Sequence, residues 1–210
     1  MKKIFAYSIA LVLALVFNGC EDKKSNNSST INGGTPSVKH PYAYGYGCEA
    51  GDVVNGYELP ACPDPVENDK TLLGIDSNNN GVRDDVERWL IVRYKNDHKI
   101  VTEIGFQTAR AVQIVIQDPS KAQETYPIED AAQFCNSYFT RYANLFNEPI
   151  LIDHIIITST AFKTIQLNTR ERIKAYLAYD KALSGGVYRL PHADERRAFC
   201  SFDVNALLGE

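Results

Sequence analysis

Residues 74–90 read GIDSNNNGVRDDVERWL and place a dense run of side-chain oxygens around one glycine. Every residue from Asp76 to Asn80 carries a side-chain oxygen, and apolar residues at helical spacing begin directly after Gly81, at Val82, Val86 and Leu90. Alternate residues of a tight loop can point to one centre, and glycine allows the sharp turn that such a loop needs. A hard divalent cation takes six to eight oxygen ligands. The stretch therefore predicts a cation-binding loop that leads into a helix.

Counted from Asp76, the loop matches the pattern D-x-[DN]-x-[DN]-G-x₅-E at every specified position, and it resembles the EF-hand calcium loop. The resemblance implies calcium as the bound cofactor. It implies ligands at positions 1, 3, 5, 7, 9 and 12 of residues 76–87, with the backbone carbonyl serving at position 7. The corresponding residues are Asp76, Asn78, Asn80, Val82, Asp84 and Glu87.

Two departures from the paired EF-hand limit what the resemblance implies. Position 8 is Arg83, where the family has an apolar residue that pairs with a sister loop, and the chain contains no second loop. Pro65 also leaves little room for a full entering helix. We therefore expect a solitary loop with three acidic ligands and a Kd of about 10⁻⁵ to 10⁻³ M. The alternative is a turn rich in Asn and Asp that binds no metal.

The N-terminal stretch MKKIFAYSIALVLALVFNGC contains a positive start and an apolar run over residues 4–17. The run is too short to cross a membrane comfortably, and it ends at Gly19-Cys20. The stretch resembles the signal peptide of a bacterial lipoprotein. This resemblance implies removal of residues 1–19 and acylation of Cys20, which would attach the protein to a membrane. The alternatives are an ordinary secretory signal with an incidental cysteine, or an uncleaved anchor. All three place the rest of the chain outside the cytoplasm, so we expect a protein of the bacterial cell envelope that faces the periplasm or the cell exterior.

Residues 20–38 follow as the lipidated cysteine and a flexible linker. Ser, Asn and Gly dominate this segment, which has too little apolar content to offset its ordering entropy. A flexible chain of this length has a root-mean-square span of about 25 Å. The formal net charge of the whole chain is −4, with no basic run to neutralise phosphates, so nucleic acid is not expected as a partner.

Four cysteines follow Cys20, namely Cys48, Cys62, Cys135 and Cys200. An even number of cysteines in an exported chain predicts two disulfides, with three possible connectivities. The pairs Cys48–Cys62 and Cys135–Cys200 are favoured, because the first closes an irregular loop and the second ties the C-terminal segment to an earlier helix. A thiol metal site or a redox pair is the alternative, but the chain has no C-x-x-C spacing.

Apolar residues recur at helical spacing through most of the chain after residue 82. This pattern predicts a mainly α fold with five or six helices in an irregular or orthogonal bundle over residues 84–210. A loop-rich, disulfide-closed segment over 39–75 is expected to pack on this body, so that 39–210 form one domain.

Individual helix starts can also be predicted. Asp118 and Pro119 have the composition of an N-cap followed by a first helical residue. The next helix is expected after Pro127, and Asn168 is expected to cap the helix TRERIKAYLAYDKAL, with Glu171 reaching back. A further helix, or a buried strand, is expected after Pro149.

No catalytic signature is present in the sequence. Four tyrosines at positions 138, 142, 176 and 179 fit either a ligand pocket or half-buried core positions. The aromatic stretch YAYGYG at 42–47 fits either a recognition loop or a segment that packs its rings on the domain. The sequence predicts a calcium-binding, lipid-anchored envelope module that binds an envelope protein or a glycan, or that has a structural role. The alternative is an envelope hydrolase acting on peptidoglycan or polysaccharide, with calcium in a structural role.

Overall fold

The computed structural model describes residues 41–150, 152 and 159–209. The predicted signal peptide, Cys20 and the linker of residues 20–38 lie outside this part of the chain, as does most of the stretch after Pro149. The described residues fold mainly as helices, with very little strand, which confirms the mainly α class.

The regular elements follow one another in chain order. The two strands are β1 (Val53–Val54) and β2 (Tyr57–Glu58). The α-helices are α1 (Pro65–Asn68), α2 (Asp84–Arg93), α3 (Lys99–Gln117), α4 (Ala122–Ser137), α5 (Thr160–Gln166), α6 (Arg170–Leu183) and α7 (Val204–Leu208). Short 3₁₀ segments cover Pro119–Lys121, Ala143–Phe146 and Asp194–Phe199, and a π-helical turn covers Tyr138–Tyr142.

Helix α3 lies at the centre of the fold and is buried along most of its length. It packs against α2, α4 and α6. Its approach to α2 is close, because a Cβ added at Gly105 would lie 2.6 Å from a methyl carbon of Leu90. The main apolar core surrounds this contact and includes Leu59, Ile104 and Phe139.

A second, smaller core lies at the C-terminal end of α3. It is formed by Val115 and Ile116 of α3, Ala122 at the start of α4, and Tyr179 of α6. The N-terminal end of α3 is capped by His98, whose Nδ1 accepts a hydrogen bond from the backbone N–H of Ile100 at 3.2 Å. The two cores together fix the helices on which the loop of residues 76–87 rests.

Strands β1 and β2 form an antiparallel hairpin with Val53 opposite Glu58 and Val54 opposite Tyr57. The sequence prediction of an irregular segment over 39–75 missed this hairpin. The turn is Asn55-Gly56, and both residues have positive φ, 52° and 81°. Asn-Gly is the preferred pair for such a two-residue turn, because the primed turns need left-handed backbone at both central positions. The Asn-Gly pair is therefore a local sequence signal for this hairpin.

Two of the predicted helix starts were wrong and one was right. Asp118 caps the 3₁₀ segment that begins at Pro119, as predicted, with its side chain accepting from the N–H of Ser120. Helix α4 was predicted to start after Pro127, but it starts at Ala122. Pro127 lies within the helix, on its exposed side. Proline has no N–H, so Pro127 cannot donate a hydrogen bond to the carbonyl of Gln123. Gln123 is an exposed residue, and water can take the place of this donor.

The cap of helix α6 is also displaced by one residue from its predicted position. Thr169, and not Asn168, accepts the capping hydrogen bond, from the N–H of Arg172 at 3.2 Å. The Asn168 side chain is engaged elsewhere, with Asp69 and with the guanidinium groups of Arg83 and Arg172. A side chain committed to these tertiary hydrogen bonds is not available to cap the helix.

The two disulfides have the predicted connectivity, Cys48–Cys62 and Cys135–Cys200. The first closes a loop around the hairpin, with a sequence separation of 14 residues. The second joins α4 to the segment that follows the last 3₁₀ turn, across 65 residues. Among the residues described, no helix combines the length and the apolar character that a membrane crossing requires.

Candidate metal centre

The loop of residues 76–87 is wound around the side chain of its first residue. Asp76 Oδ1 accepts a hydrogen bond from the N–H of Asn80 at 3.1 Å, and Oδ2 accepts from the N–H of Gly81 at 2.8 Å. A carboxylate oxygen has two lone-pair positions, so each of these oxygens keeps one for a further partner. Asp76 therefore holds the loop in shape while it remains able to act as a ligand.

Asn78 and Asn80 continue the winding of the loop. Asn78 Oδ1 accepts from the N–H of Asn80 at 3.1 Å, and Asn80 Oδ1 accepts from the N–H of Val82 at 2.8 Å. Side chains that bond to the backbone two residues further on are typical of Asx turns. Gly81 has a φ of 83°, a left-handed conformation that glycine adopts without strain.

Asp84 and Glu87 lie on the first turn of α2 and are buried, with 1% and 5% of their surface exposed. Asp84 Oδ1 accepts from the N–H of Ser77 at 3.0 Å. The Nδ2 group of Asn78 donates to Glu87 Oε2 at 3.1 Å, which joins position 3 of the loop to position 12. Both carboxylates thus accept hydrogen bonds from residues of the loop, Asp84 from Ser77 and Glu87 from Asn78.

Burial is the main cause of the altered acidity of these two groups. It raises the pKa of Asp84 above its ordinary value, and it raises the pKa of Glu87 to about 7. The negative charges of Asp76 and of neighbouring acids add to both effects. In the described part of the chain, no basic side chain forms an ion pair with Asp84 or Glu87 within 4.0 Å. A buried carboxylate without a cation is costly, and a bound cation would offset that cost.

The remaining predicted ligand is Val82, which would contribute its carbonyl oxygen. Its side chain is fully buried in the main core, and this fixes the backbone at position 7 of the loop. The oxygen donors of the loop are thus mixed: carboxylates, side-chain amides and one carbonyl. Across residues 41–150, 152 and 159–209, no three His, Cys, Asp or Glu side chains form a group that could hold a metal ion, so the structure does not gather the three acidic residues Asp76, Asp84 and Glu87 into one. A cation here would need the amide and carbonyl oxygens as well, which is the ligand mixture that calcium accepts.

Arg83, at position 8, is fully buried and occupies the place where the paired EF-hand has its apolar contact. Its Nε donates to Asp85 Oδ1 at 2.5 Å and its Nη2 to Asp85 Oδ2 at 3.1 Å. The same guanidinium donates to the carbonyls of Ile165 and Gln166 at the end of α5, at 2.6 and 3.2 Å. Arg83 therefore connects the loop to the C-terminal end of α5 and satisfies carbonyls that have no partner within that helix.

Sequence reasoning missed two further buried arginines, Arg88 and Arg172. Arg88 donates to three backbone carbonyls of the N-terminal segment, those of Tyr42, Gly47 and Pro60. Arg172 donates to Asp69 and to further carbonyls at residues 68, 71 and 72. A local sequence pattern gives no signal for such residues, because their partners come from distant segments.

Arg110 of α3 supports the loop from its other side. Its Nε donates to the carbonyl of Asn80 at 2.9 Å. A Cβ added at Gly81 would lie 3.3 Å from the Arg110 side chain, so a larger residue at position 6 would press on this contact as well as strain the backbone. The loop is thereby attached to the central helix of the fold.

The four tyrosines singled out in the sequence belong to two different clusters. Tyr138 and Tyr142 pack in or against the main core, and Tyr176 and Tyr179 pack in or against the smaller one. The hydroxyl of Tyr138 donates to Glu148 at 2.8 Å, and that of Tyr176 donates to Glu129 at 2.7 Å. This separation favours their interpretation as core residues with polar tips over a shared ligand pocket.

Glu129 is a second carboxylate with altered acidity. Burial raises its pKa, the nearby charges of Asp180 and Asp130 add to the effect, and the hydrogen bond from Tyr176 opposes it.

A cavity of about 430 Å³ has a lining that does not include Glu129, and Asp118 is its acidic lining residue. It is lined by Ile114, Gln117, Asp118, Lys121 and Thr125.

Comparison of the chain with protein families, with curated proteins and with solved structures finds no match to any of them.

Proposed function

We propose that the protein is a calcium-binding, lipid-anchored protein of the bacterial cell envelope that acts as a binding or structural module. One observation carries the calcium part of this proposal. The carboxylates of Asp84 and Glu87 are buried on one turn of α2 and face a loop that matches the EF-hand pattern at every specified position. Burying two negative charges side by side is unfavourable unless a cation joins them.

The ligands in this proposal are the side chains at positions 1, 3, 5, 9 and 12 and the carbonyl at position 7. They are Asp76, Asn78, Asn80, Asp84, Glu87 and Val82. A bound calcium ion would neutralise the carboxylates and draw both ends of the loop together. Its role would be to fix the junction between the disulfide-closed N-terminal segment of residues 39–75 and the helical body of residues 84–210, which we propose to be an irregular bundle.

The lipid anchor at Cys20 is the second part of the proposal and is supported by the signal-like residues 1–19. Acylation would hold the protein on a membrane, while the linker of residues 21–38 would let the domain reach an envelope protein or a glycan. Membrane fractionation of wild type and Cys20→Ser tests this part. Release of the variant into the soluble fraction supports the anchor. Equal membrane association of both proteins contradicts it where mass spectrometry shows that residues 1–19 have been removed from both.

Calorimetric titration of the purified protein with calcium tests the metal site directly. We expect one site with a Kd of about 10⁻⁵ to 10⁻³ M, lost in Glu87→Gln. Glu124→Gln, an exposed carboxylate of α4, is the matched control and should bind calcium as wild type does. Absence of binding heat at millimolar calcium in the wild type would contradict the proposal.

For the alternative function, an envelope hydrolase, Glu129 is a candidate general acid that lies outside the 76–87 loop. A general acid needs a carboxyl whose pKa is raised toward neutrality, and burial produces that direction of shift here. Asp180 lies near enough for its charge to act on Glu129. Hydrolysis of peptidoglycan or polysaccharide that is present in the wild type and lost in Glu129→Gln would favour the enzyme over the binding module.

A further inference from the structure

Residues 41–62 form a segment that we name the N-terminal strap. The strap contains the β1–β2 hairpin and is closed by the Cys48–Cys62 disulfide. Val54 and Leu59 of the strap are buried in the main core beside helices of the body. Tyr57 donates a hydrogen bond to Glu103 of α3 at 2.9 Å. The strap is therefore a separate piece of chain that covers part of the helical body.

One guanidinium group holds both ends of the strap. Arg88 Nε donates to the carbonyl of Tyr42 at 2.9 Å, its Nη2 donates to that of Gly47 at 2.6 Å, and its Nη1 donates to that of Pro60. Arg88 is fully buried, so these carbonyls replace water as its hydrogen-bond partners. Because charged donors form the stronger hydrogen bonds of a protein interior, this residue is a major attachment point of the strap.

Arg88 is also the residue that directly follows Glu87, the last ligand of the proposed calcium loop. It lies four residues after Asp84, so it sits on the same face of α2, one turn further along. A cation that binds Asp84 and Glu87 would fix the first turn of α2. It would thereby fix the point at which the Arg88 side chain projects from the helix. Loss of the cation would leave the buried carboxylates of Asp84 and Glu87 at that turn without a neutralising partner.

From this arrangement we infer that calcium in the 76–87 loop controls the docking of the N-terminal strap. With calcium bound, α2 holds Arg88 in place and the strap is closed on the body. Without calcium, the strap opens more often and uncovers the core surface beneath Val54 and Leu59. The inference rests on the proposed calcium site and adds a regulated element to it. In the mature lipoprotein that we propose, this element would lie where the linker meets the domain.

Hydrogen exchange measured by mass spectrometry tests the inference on the full mature protein with disulfides intact. The amides of Leu59 and Cys62 donate within the strap, to Asp52 at 2.8 Å and to Cys48 at 2.9 Å, and they should exchange faster once undocking removes the packing that supports the strap. Exchange of strap peptides should slow at least tenfold when chelator is replaced by millimolar calcium. Peptides from the centre of α3 should change much less, because that helix is buried in both states.

Three variants separate the strap mechanism from general stabilisation. Glu87→Gln should remove the calcium dependence of strap exchange. Arg88→Met should leave the strap in fast exchange with or without calcium, while calcium binding measured by titration persists. Arg93→Met changes an exposed arginine of the same helix and should behave as wild type.

The wild-type measurement decides the inference even where a variant fails to fold. Calcium binding in the titration without a change in strap exchange beyond twofold would overturn the strap mechanism and leave the calcium site standing. No calcium binding in the titration would overturn both, since the strap mechanism depends on the ion.

Discussion

Replacing Arg83 with methionine would remove a buried cation while keeping a side chain of similar length. In the wild type, the guanidinium of Arg83 contacts both oxygens of Asp85, at 2.5 and 3.1 Å, and neither side chain is exposed to solvent. The substitution would leave the Asp85 carboxylate buried without its partner. It would also leave the carbonyls of Ile165 and Gln166 without a donor.

The expected cost is large relative to the stability of a domain. Removing one partner of a buried ion pair destabilises a protein by about 3–5 kcal/mol, because an uncompensated charge remains in the interior. Total stabilities are about 5–15 kcal/mol. The double variant Arg83→Met/Asp85→Leu removes the orphan charge, and apolar replacement of a whole buried pair is often neutral. The double variant should therefore cost only about 2 kcal/mol, from the two carbonyls at about 1 kcal/mol each.

Urea unfolding at fixed calcium concentration measures these free energies. Circular dichroism reports the helices, and the single tryptophan, Trp89, gives a fluorescence signal from the middle of α2. Arg93→Met, which changes an exposed arginine of the same helix, is the control and should cost less than about 0.5 kcal/mol. A cost of less than about 1 kcal/mol for Arg83→Met, or a double variant that is less stable than Arg83→Met, would contradict the role assigned to the buried ion pair.

Three further predictions concern the disulfides, the helix packing and the pH dependence. Replacing Cys135 and Cys200 by alanine should lower the free energy of unfolding in urea by about 4 kcal/mol, and replacing Cys48 and Cys62 should lower it by about 3 kcal/mol. The Cys135–Cys200 disulfide has the larger effect because it closes the longer loop. The reverse order would contradict the loop-entropy argument. Gly105→Ala should destabilise by about 1–3 kcal/mol, since its new methyl group would lie 2.6 Å from Leu90, and Leu90→Val should restore part of the loss; additive costs would show that the two sites are not coupled. For Glu129, the folded protein has the higher pKa and binds its proton more tightly than the unfolded chain, so this group should lower stability as the pH rises from about 4.5 through its folded pKa. As the pH rises over that range, the unfolding free energy of wild type minus that of Glu129→Gln should decrease. The same difference measured with Glu124→Gln should not change with pH.

The parts of the structure that follow from the sequence are those specified by local patterns. The 76–87 loop has its turn residues at fixed offsets, and the structure places Asp76, Asn78 and Asn80 in the hydrogen bonds that such a loop needs. The disulfide pairing follows from which segments each cysteine can bring together. The Asn55-Gly56 hairpin is also specified locally, by a turn pair that favours positive φ at both positions.

The features that could not be predicted depend on partners far apart in the chain. Arg88 takes its hydrogen-bond acceptors from residues 42, 47 and 60, and Arg83 takes two of its own from the end of α5. In a sequence, such residues look like the solvated face of a helix. The same competition moves the cap of α6 from Asn168 to Thr169, because Asn168 is engaged with Asp69 and Arg172. Tertiary contacts of this kind override local preference.

Thermal unfolding of the disulfide-intact protein, in chelator and then in 10 mM calcium, tests the central claim most directly. A ligand that binds only the folded state stabilises it by about 2.7 kcal/mol at 100 times its Kd, which corresponds to a Kd of about 10⁻⁴ M here. For a chain of this size, the midpoint should rise by about 5–10 °C. The account predicts this rise in the wild type and its loss in Glu87→Gln. A wild-type midpoint that is the same in chelator and in calcium would contradict the account, and the 76–87 loop would then be a turn without a metal.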